Sequence, residues 1–560
     1  MHKKKKKLWK RIGTTLLIMA LVWIVGGYLL SLWLHISPPE VEDTNQILLK
    51  EPVVAETGES VFNNCFLRQS DSGLWEIYLE GQAFERGIAA GKLEKELLAY
   101  QEDVFVSQIK KIIPSDFYLL FLRNFIGFFN RNLANHVREE YKAEIYGISL
   151  SCTHTYDFIG SPYERQLNYH AAHDLGHAMQ DYMLVGCTSF AAWDAATEDS
   201  SLLIGRNFDF YVGDDFAKNK TVLFCAPDSG YKFASIAWAG MTGVLSGMNE
   251  KGLTVTINAA KSTMPLSSAT PISILCREIL QYASNIEEAR AIAGKRQLFV
   301  SESILVGSAS DGKAVLIEKS PDKMGMFTSQ GNYLICANHF QSETFENDER
   351  NNENIHTSDS PYRQQRMEEL IRKNIPLNPV KTADILRNRK GMAEKNIGFG
   401  NEKSINQMMG HHSIIFKPKQ RQLWVSTSPW QLGQYVCYDL DSIFQNPNFS
   451  SEIRNINLSI QPDTFLNSEQ YAGFLFYRDY AGKLKASIEK KEQVSEENIR
   501  NFIASNPELY YVYELVGDYY ASVKQKETAL VYWQQALAKE IPRIAEKEKI
   551  EKKILSVSKK

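Results

Sequence analysis

Residues 186–210 read GCTSFAAWDAATEDSSLLIGRNFDF. Gly186-Cys187 opens a run of small and apolar residues with rough alternation, the polar stretch TEDSS follows, and a second apolar run ends in Arg206, Asn207 and Asp209. Two short β-runs around a polar turn predict a hairpin. Such a hairpin sets the residue that starts one strand beside the residues that end the next. Cys187, Arg206 and Asp209 therefore meet at one end of a sheet.

That meeting has a chemical use. A thiol attacks carbonyls as thiolate, and a nearby guanidinium stabilises the anion and lowers the thiol pKa. If the peptide bond before Cys187 is cut, the new α-amine, with a reference pKa of roughly 7.7 to 8.0, becomes a general base, and Asp209 holds its ammonium form. Gly186 suits the cut, because a residue without a Cβ lets the thiol approach the carbonyl. A cysteine on its own reads as one more buried small side chain. It is the company of Arg206 and Asp209 that gives Cys187 a chemistry.

GCTS followed by GRNFDF resembles the N-terminal-nucleophile (Ntn) hydrolases related to choloylglycine hydrolase and penicillin V acylase, and most closely the acyl-coenzyme A:6-aminopenicillanic acid acyltransferase family. GMNEKGLTVTINA (247–259), ANHF (337–340) and SPYR (360–363) follow in the family's order, and LEGQAFERGIAAGKL (79–93) looks like the start of its pro-segment. Several ordered motifs are far more specific than one. The resemblance covers roughly residues 60–430. It implies a precursor that cuts itself before Cys187, oxyanion donors at Asn258 and Asn338, and Arg363 in the polar network around the nucleophile, with Arg366 one turn away as the competing assignment. It implies no cofactor and no metal.

Lys3 to Lys7, Lys10 and Arg11 precede an uncharged apolar segment from Ile12 to Ile36, and Glu40, Glu42 and Asp43 follow it. The segment is long enough to span a bilayer core of about 30 Å, and the charge bias keeps the N-terminus in the cytoplasm. A cleaved signal peptide, with an apolar core of about 7 to 15 residues and an A-x-A-like site, fits less well. The expectation is an uncleaved single-pass anchor (1–36) with the catalytic part extracytoplasmic. Residues 37–60, with three prolines and several acids, read as a linker.

The 560 residues carry 63 basic and 66 acidic side chains, a formal net charge of −3, which leaves no footprint for nucleic acid. Seven cysteines, at 65, 152, 187, 225, 276, 336 and 437, show no CxxC pair or metal-finger spacing. Outside the cell a disulfide is open to them, but the odd number leaves a free thiol.

Residues 61–186 read as a mainly helical pro-segment, with one amphipathic run from 84 to 113. Within it HAAHDLGH gathers His170, His173, Asp174 and His177; a zinc or iron site is one reading, but a fourth ligand is missing, and a polar helix face is the other. After the hairpin the sequence alternates strands and turns, with helices at about 271–293 and 361–373. That pattern predicts an α+β layered domain, 187–465. The resemblance sharpens it to a four-layer αββα sandwich, two antiparallel sheets between helices. Residues 506–542 carry Gly517, Tyr520, Ala529, Trp533, Ala536 and Pro542 in near-tetratricopeptide spacing. One repeat cannot bury its own face, so the helical region 466–560 is expected to pack on the catalytic domain or on a protein partner.

Two classes of function follow: a membrane-tethered, self-processed cysteine amidohydrolase or acyltransferase acting on a small-molecule amide, or an inactive tethered scaffold that binds a protein through its helical C-terminus. The histidine cluster adds a third, a metallohydrolase. The set Cys187, Arg206, Asp209, Asn258, Asn338 and Arg363 favours the first.

Overall fold

A computed structural model describes residues 35–41, 45–56, 58–112, 115, 123–124, 126–171, 184–263, 268–445, 447 and 453–558, with scattered positions between 14 and 34. Most of the Ile12–Ile36 segment, and His173, Asp174 and His177, lie outside these residues. Among the described residues no helix is long and apolar enough to cross a membrane.

Two large sheets carry the fold. The strands Thr188–Ala192 and Leu203–Phe208 form the expected hairpin as the second and third strands of a seven-stranded antiparallel sheet, with Thr188 opposite Asn207 and Ser189 opposite Arg206. Tyr333–Cys336 pairs on one side of it and His412–Lys417 on the other. The second sheet has eleven strands, among them Thr221–Pro227, Leu253–Ala259 and Glu302–Ser308. Alternation decides which way each side chain points. Ala191 and Ile204 enter the apolar layer between the sheets, which also holds Phe224, Leu305 and Ile414. Phe190 and Leu203 point the other way, onto the helices Ser360–Asn374 and Pro379–Leu386 through Met367, Ile371 and Leu386. Helices Ala83–Leu93, Ile272–Tyr282 and Ile286–Lys295 cover the outer face of the larger sheet. The order is helix, sheet, sheet, helix.

The segment before the hairpin departs from the sequence reading. Residues 61–81 were expected within a helical pro-segment; with Ser60 they form the strands Ser60–Phe62, Cys65–Gln69 and Trp75–Gly81 instead. The last of these lies parallel to Thr221–Pro227, so the segment upstream of Cys187 supplies strands to the larger sheet. The reason is visible in hindsight: Glu76-Ile77-Tyr78-Leu79 is buried on both sides and shows no clean period-2 alternation. The amphipathic run 84–113 is two helices, Ala83–Leu93 and Lys95–Ile112, broken at Glu94, which is buried and accepts a hydrogen bond from Gly240 N–H (3.0 Å).

Helix Ala83–Leu93 crosses helix Glu139–Ser149 in backbone contact, because a Cβ at Gly87 would collide with the Glu144 carbonyl and one at Gly147 with the Phe84 carbonyl. The crossing buries Arg86 against Glu144 (2.7 Å), and Glu144 also takes Arg277 (3.3 Å) from the helix Ile272–Tyr282. Removing the acid would leave two buried guanidinium groups short of a counter-charge, at a cost of about 3–5 kcal/mol.

The C-terminal region is helical as expected, with Glu469–Lys490, Glu496–Ser505, Tyr510–Ser522, Lys526–Leu537 and Ile544–Ser558. The Trp533 ring lies over Gly517, where a Cβ would overlap it. The region docks on the catalytic part: Asn506 accepts from Phe399 N–H (3.0 Å) and donates to its carbonyl (2.8 Å), and Lys403 pairs with Glu540 (2.7 Å).

Candidate active site

Cys187 precedes the first hairpin strand and shares the parity of Ser189 and Ala191, so its sulfur points between the sheets. It is fully buried. Arg206, with the parity of Ile204, points into the same space, and its Nη2 donates to Cys187 Sγ at 3.8 Å. The Asp209 backbone N–H donates to the same sulfur. The thiol, the cation and the residue bearing the carboxylate are together.

Their charge balance differs from the expectation. Burial pushes the Cys187 thiol up to about 11, and the pull of Arg206 in the other direction is the smaller effect. Burial also lowers Arg206 from its ordinary value, with the charges of Cys187 and Asp209 opposing. A closed, dry site penalises every charged form, so the guanidinium alone does not make the thiolate. Asp209 obeys the same rule: burial raises its carboxyl to about 7, against the pull of Arg363 and Arg206. Its Oδ1 accepts from Gln431 Nε2 (3.0 Å), while Oδ2 is buried with no hydrogen-bond partner. A buried carboxylate oxygen without a donor is costly, and it is the place for a cation or an ammonium.

Arg206 is held by groups the sequence did not single out. Its Nη2 donates to the Ile257 carbonyl, its Nη1 to Ser246 Oγ and to the Leu245 carbonyl (3.3 Å), and the guanidinium lies 4.3 Å over the Phe208 ring. Ser246 in turn meets His412 Nε2 (2.9 Å), and His412 Nδ1 meets His411 Nδ1 (2.9 Å). Both imidazoles are neutral: burial holds His411 down to about 3 and His412 well below the usual range, with the Arg206 and Lys220 charges adding. Among the described residues no carboxylate is in direct contact with Arg206, and its Nη2 donates to the sulfur.

Arg363, not Arg366, belongs to this network. Arg363 Nη1 donates to the Cys187 carbonyl (2.8 Å) and to Thr188 Oγ1 (2.7 Å), Nη2 to Asn338 Oδ1 (2.7 Å), and Nε to Asp359 (2.7 Å). Arg366 turns to Glu369, Asn388 and Glu394. The two amides expected as oxyanion donors are engaged with backbone. Asn338 Nδ2 donates to the Ala259 carbonyl (2.9 Å), and Asn258 Nδ2 to the Cys336 carbonyl (3.1 Å) while its Oδ1 accepts from Ser189 (2.8 Å). Asn258 thus stitches the two sheets beside Cys187.

His170, the described member of the histidine cluster, is buried with both ring nitrogens engaged: Nδ1 meets the Gln166 carbonyl (2.7 Å) and Nε2 accepts from Thr242 N–H (2.9 Å). Burial lowers its pKa to about 4. Among the described residues no group of three or more His, Cys, Asp or Glu side chains gathers to hold a metal ion. All seven cysteines are free thiols.

Among curated proteins, an uncharacterized protein of Archaeoglobus fulgidus is 30% identical over 156 residues, 27% of this chain and 26% of that protein. Protein dcd1B of Dictyostelium discoideum is 25% identical over 273 residues, 45% of this chain and 52% of that protein. The matches thus span from about a quarter to about half of those relatives' length. Among solved structures, the Caenorhabditis elegans N-acylethanolamine-hydrolyzing acid amidase ortholog overlaps 42% of this chain and 93% of its own, at 17% identity and a TM-score of 0.30. An overlap that low bears on neither reaction nor substrate. The family model that matches starts nine residues after Cys187 and takes in Arg206, Asp209, Asn258, Asn338 and Arg363: residues 196–427 match the model of the acyl-coenzyme A:6-aminopenicillanic acid acyl-transferase family.

Proposed function

We propose that the protein is a self-processed cysteine amidohydrolase or acyltransferase in which Cys187, freed at its α-amine by a cut after Gly186, forms an acyl-enzyme with a C–N amide substrate. The family supports amide hydrolysis or acyl transfer. The observation that carries the finer reading is Asp209: its Oδ2 is buried without a partner, while its backbone carbonyl and N–H hold Gly186 N–H and Cys187 Sγ on either side of the uncut bond. A new ammonium at Cys187 supplies the missing donor. It also lowers the Asp209 carboxyl and leaves a general base next to the sulfur.

Hydrolysis is favoured over transfer, since water is abundant outside a membrane and a coenzyme A donor is not. An apolar cavity lined by Leu98, Phe105, Phe210, Phe216, Trp238 and Met241 reaches to within one residue of Asp209 along the chain, which suits a hydrophobic acyl group. The fragment before the cut stays bound, because its strand Trp75–Gly81 is within the larger sheet and Arg86 and Glu144 tie it to Arg277. Residues 12–36 form the anchor that keeps the catalytic part outside the cytoplasm, and the C-terminal helices, one tetratricopeptide-like repeat among them, pack on the catalytic part.

N-terminal sequencing of the larger fragment tests the cut: any start other than Cys187 removes the proposed base. A panel of N-acyl amides, with amine and acid release measured, tests the reaction. Protease added to intact spheroplasts should degrade the catalytic part, and full protection would refute the orientation.

A further inference from the structure

The peptide bond before Cys187 is gripped along its length. Gly186 N–H donates to the Asp209 carbonyl (3.0 Å), and the Cys187 carbonyl accepts from Arg363 (2.8 Å). Between them, the carbonyl oxygen of Gly186 accepts from the side-chain Nε2 of Gln407 (3.1 Å). Gln407 is buried, its Oε1 has no partner, and its amide lies flat across Gly186, so that a Cβ there would sit 2.5 Å from Nε2 and 2.7 Å from Oε1. The opposite amide orientation would set oxygen against oxygen. The segment bearing Gln407 is fixed on both sides: Asn207 Nδ2 donates to the Ile405 carbonyl (3.0 Å), Asn406 N–H to the Asn388 carbonyl (2.8 Å), and Met408 N–H to Asn406 Oδ1 (2.9 Å).

A glutamine amide at this oxygen has a defined use. Asn258 and Asn338 spend donors on backbone carbonyls elsewhere, and Arg206 and Arg363 donate to the sulfur and to the next carbonyl. We propose that Gln407 is a catalytic residue of the self-cut, whose N–H polarises the Gly186 carbonyl and holds its oxygen as an anion after thiol attack. This rests on the reading that the chain cuts before Cys187. In the step, Cys187 Sγ forms a bond to the Gly186 carbonyl carbon and the thiol proton passes to the Cys187 nitrogen. The C–N bond then breaks to leave a thioester and a free α-amine, and water splits the thioester to the Gly186 carboxylic acid and the thiol. The oxyanion exists only in the tetrahedral states, where a preset neutral donor counts most. Gly186 is required because a side chain there would push the amide off the oxygen.

The test uses the full chain, purified as wild type, Cys187→Ala, Gln407→Leu and Gln407→Glu, with the 187–560 fragment timed by intact mass and folding checked by thermal melting. Gln407→Leu keeps the volume and removes the donor. It should slow the cut by about 10²–10³-fold, while melting cooperatively near the Cys187→Ala control. Gln407→Glu should be slow at pH 8 and recover in part as the pH falls and the carboxyl gains a donor proton, a dependence that a packing role would not produce. Hydroxylamine, which traps thioesters, should not restore the Gln407→Leu rate, because the slowed step precedes the thioester. A wild type that cuts while Gln407→Leu cuts at the same rate, or is restored by hydroxylamine, overturns the assignment of Gln407 alone. A wild type that never cuts overturns the self-processing reading and this role with it. If Gln407→Leu does not fold, the pH response of Gln407→Glu decides, and a flat response counts against the proposal.

Discussion

The hairpin Thr188–Phe208 and the loop 395–411 meet at the same peptide bond, and they are built in opposite ways. The hairpin makes its site locally: Cys187 and Arg206 are 19 residues apart and share an inward face because a strand's side chains repeat every second residue. The loop has no such rule. Gln407 reaches Gly186 from 221 residues away, Gly410 must lack a Cβ because Asp209 Oδ1 lies against it, and His411 at the loop's end meets His412, which touches Arg206 directly (3.4 Å) and through Ser246. The loop also lacks a hydrophobic period of its own. It is held by side-chain amides, by Met408 in a cluster with Trp430, Leu432 and Phe474, and by the docked C-terminal helices through Phe399–Asn506 and Lys403–Glu540. A hairpin places its chemistry by its own pattern; the loop places its chemistry through partners distant in the chain.

The comparison breaks first at the nucleophile. Cys187→Ala should leave one uncut chain with no measurable amide turnover, seen by gel and product assay; any residual cut at the same bond would move the chemistry out of the hairpin. Next comes the arginine pair. Arg363→Met should slow the cut by roughly a hundredfold or more, since the Cys187 carbonyl and Asn338 lose their common donor, whereas Arg366→Met should stay within roughly threefold because its partners are Glu369, Asn388 and Glu394. Equal effects would show that the helix acts only as packing.

A smaller effect sharpens the electrostatics of the uncut site. Asp209 has a folded-state pKa raised to about 7, above its unfolded value, so the folded state binds the extra proton and stability falls as pH rises from about 4 to 7. In the Cys187→Ala background, Asp209→Asn should remove that fall: the difference in melting temperature should favour Asn increasingly up to neutral pH and level off above it. A difference that runs the other way would mean the carboxylate is stabilised in the uncut chain, and the vacancy at Oδ2 would lose its meaning. The smallest effect tests the clamp. Asn506→Ala leaves the Phe399 amide groups unpaired and should cost about 1–3 kcal/mol by denaturant titration, with only a few-fold slower cut. An unchanged stability would detach the C-terminal helices from the loop.

Much of the fold was legible where a strand or helix carries its own signal. The hairpin, the strands from Thr221 to Cys336, the helix Ser360–Asn374 and the C-terminal helices all have apolar periodicity within a short window. The strand Trp75–Gly81 was not, because a strand covered on both faces loses the alternation that marks it. At the site, the grouping of Cys187 with Arg206 could be read, and so could the choice of Arg363 as a candidate. The protonation of the group could not, since it depends on how completely the two sheets exclude water from Cys187, Arg206 and Asp209.

By itself the sequence determined that Cys187 stands at the start of a strand, which strand pairs with it, and that Arg206 and Asp209 lie at the same end of that pair. These follow from spacing and from the period of an extended chain. Only the tertiary structure decided that Gln407 donates to the Gly186 carbonyl, that Ser246 and His412 hold Arg206, that Asn258 joins the sheets, and that one oxygen of Asp209 lacks a donor. Contacts between residues so far apart in the chain leave no local pattern. Burial, which sets the charge of every group in the site, belongs to the packed whole.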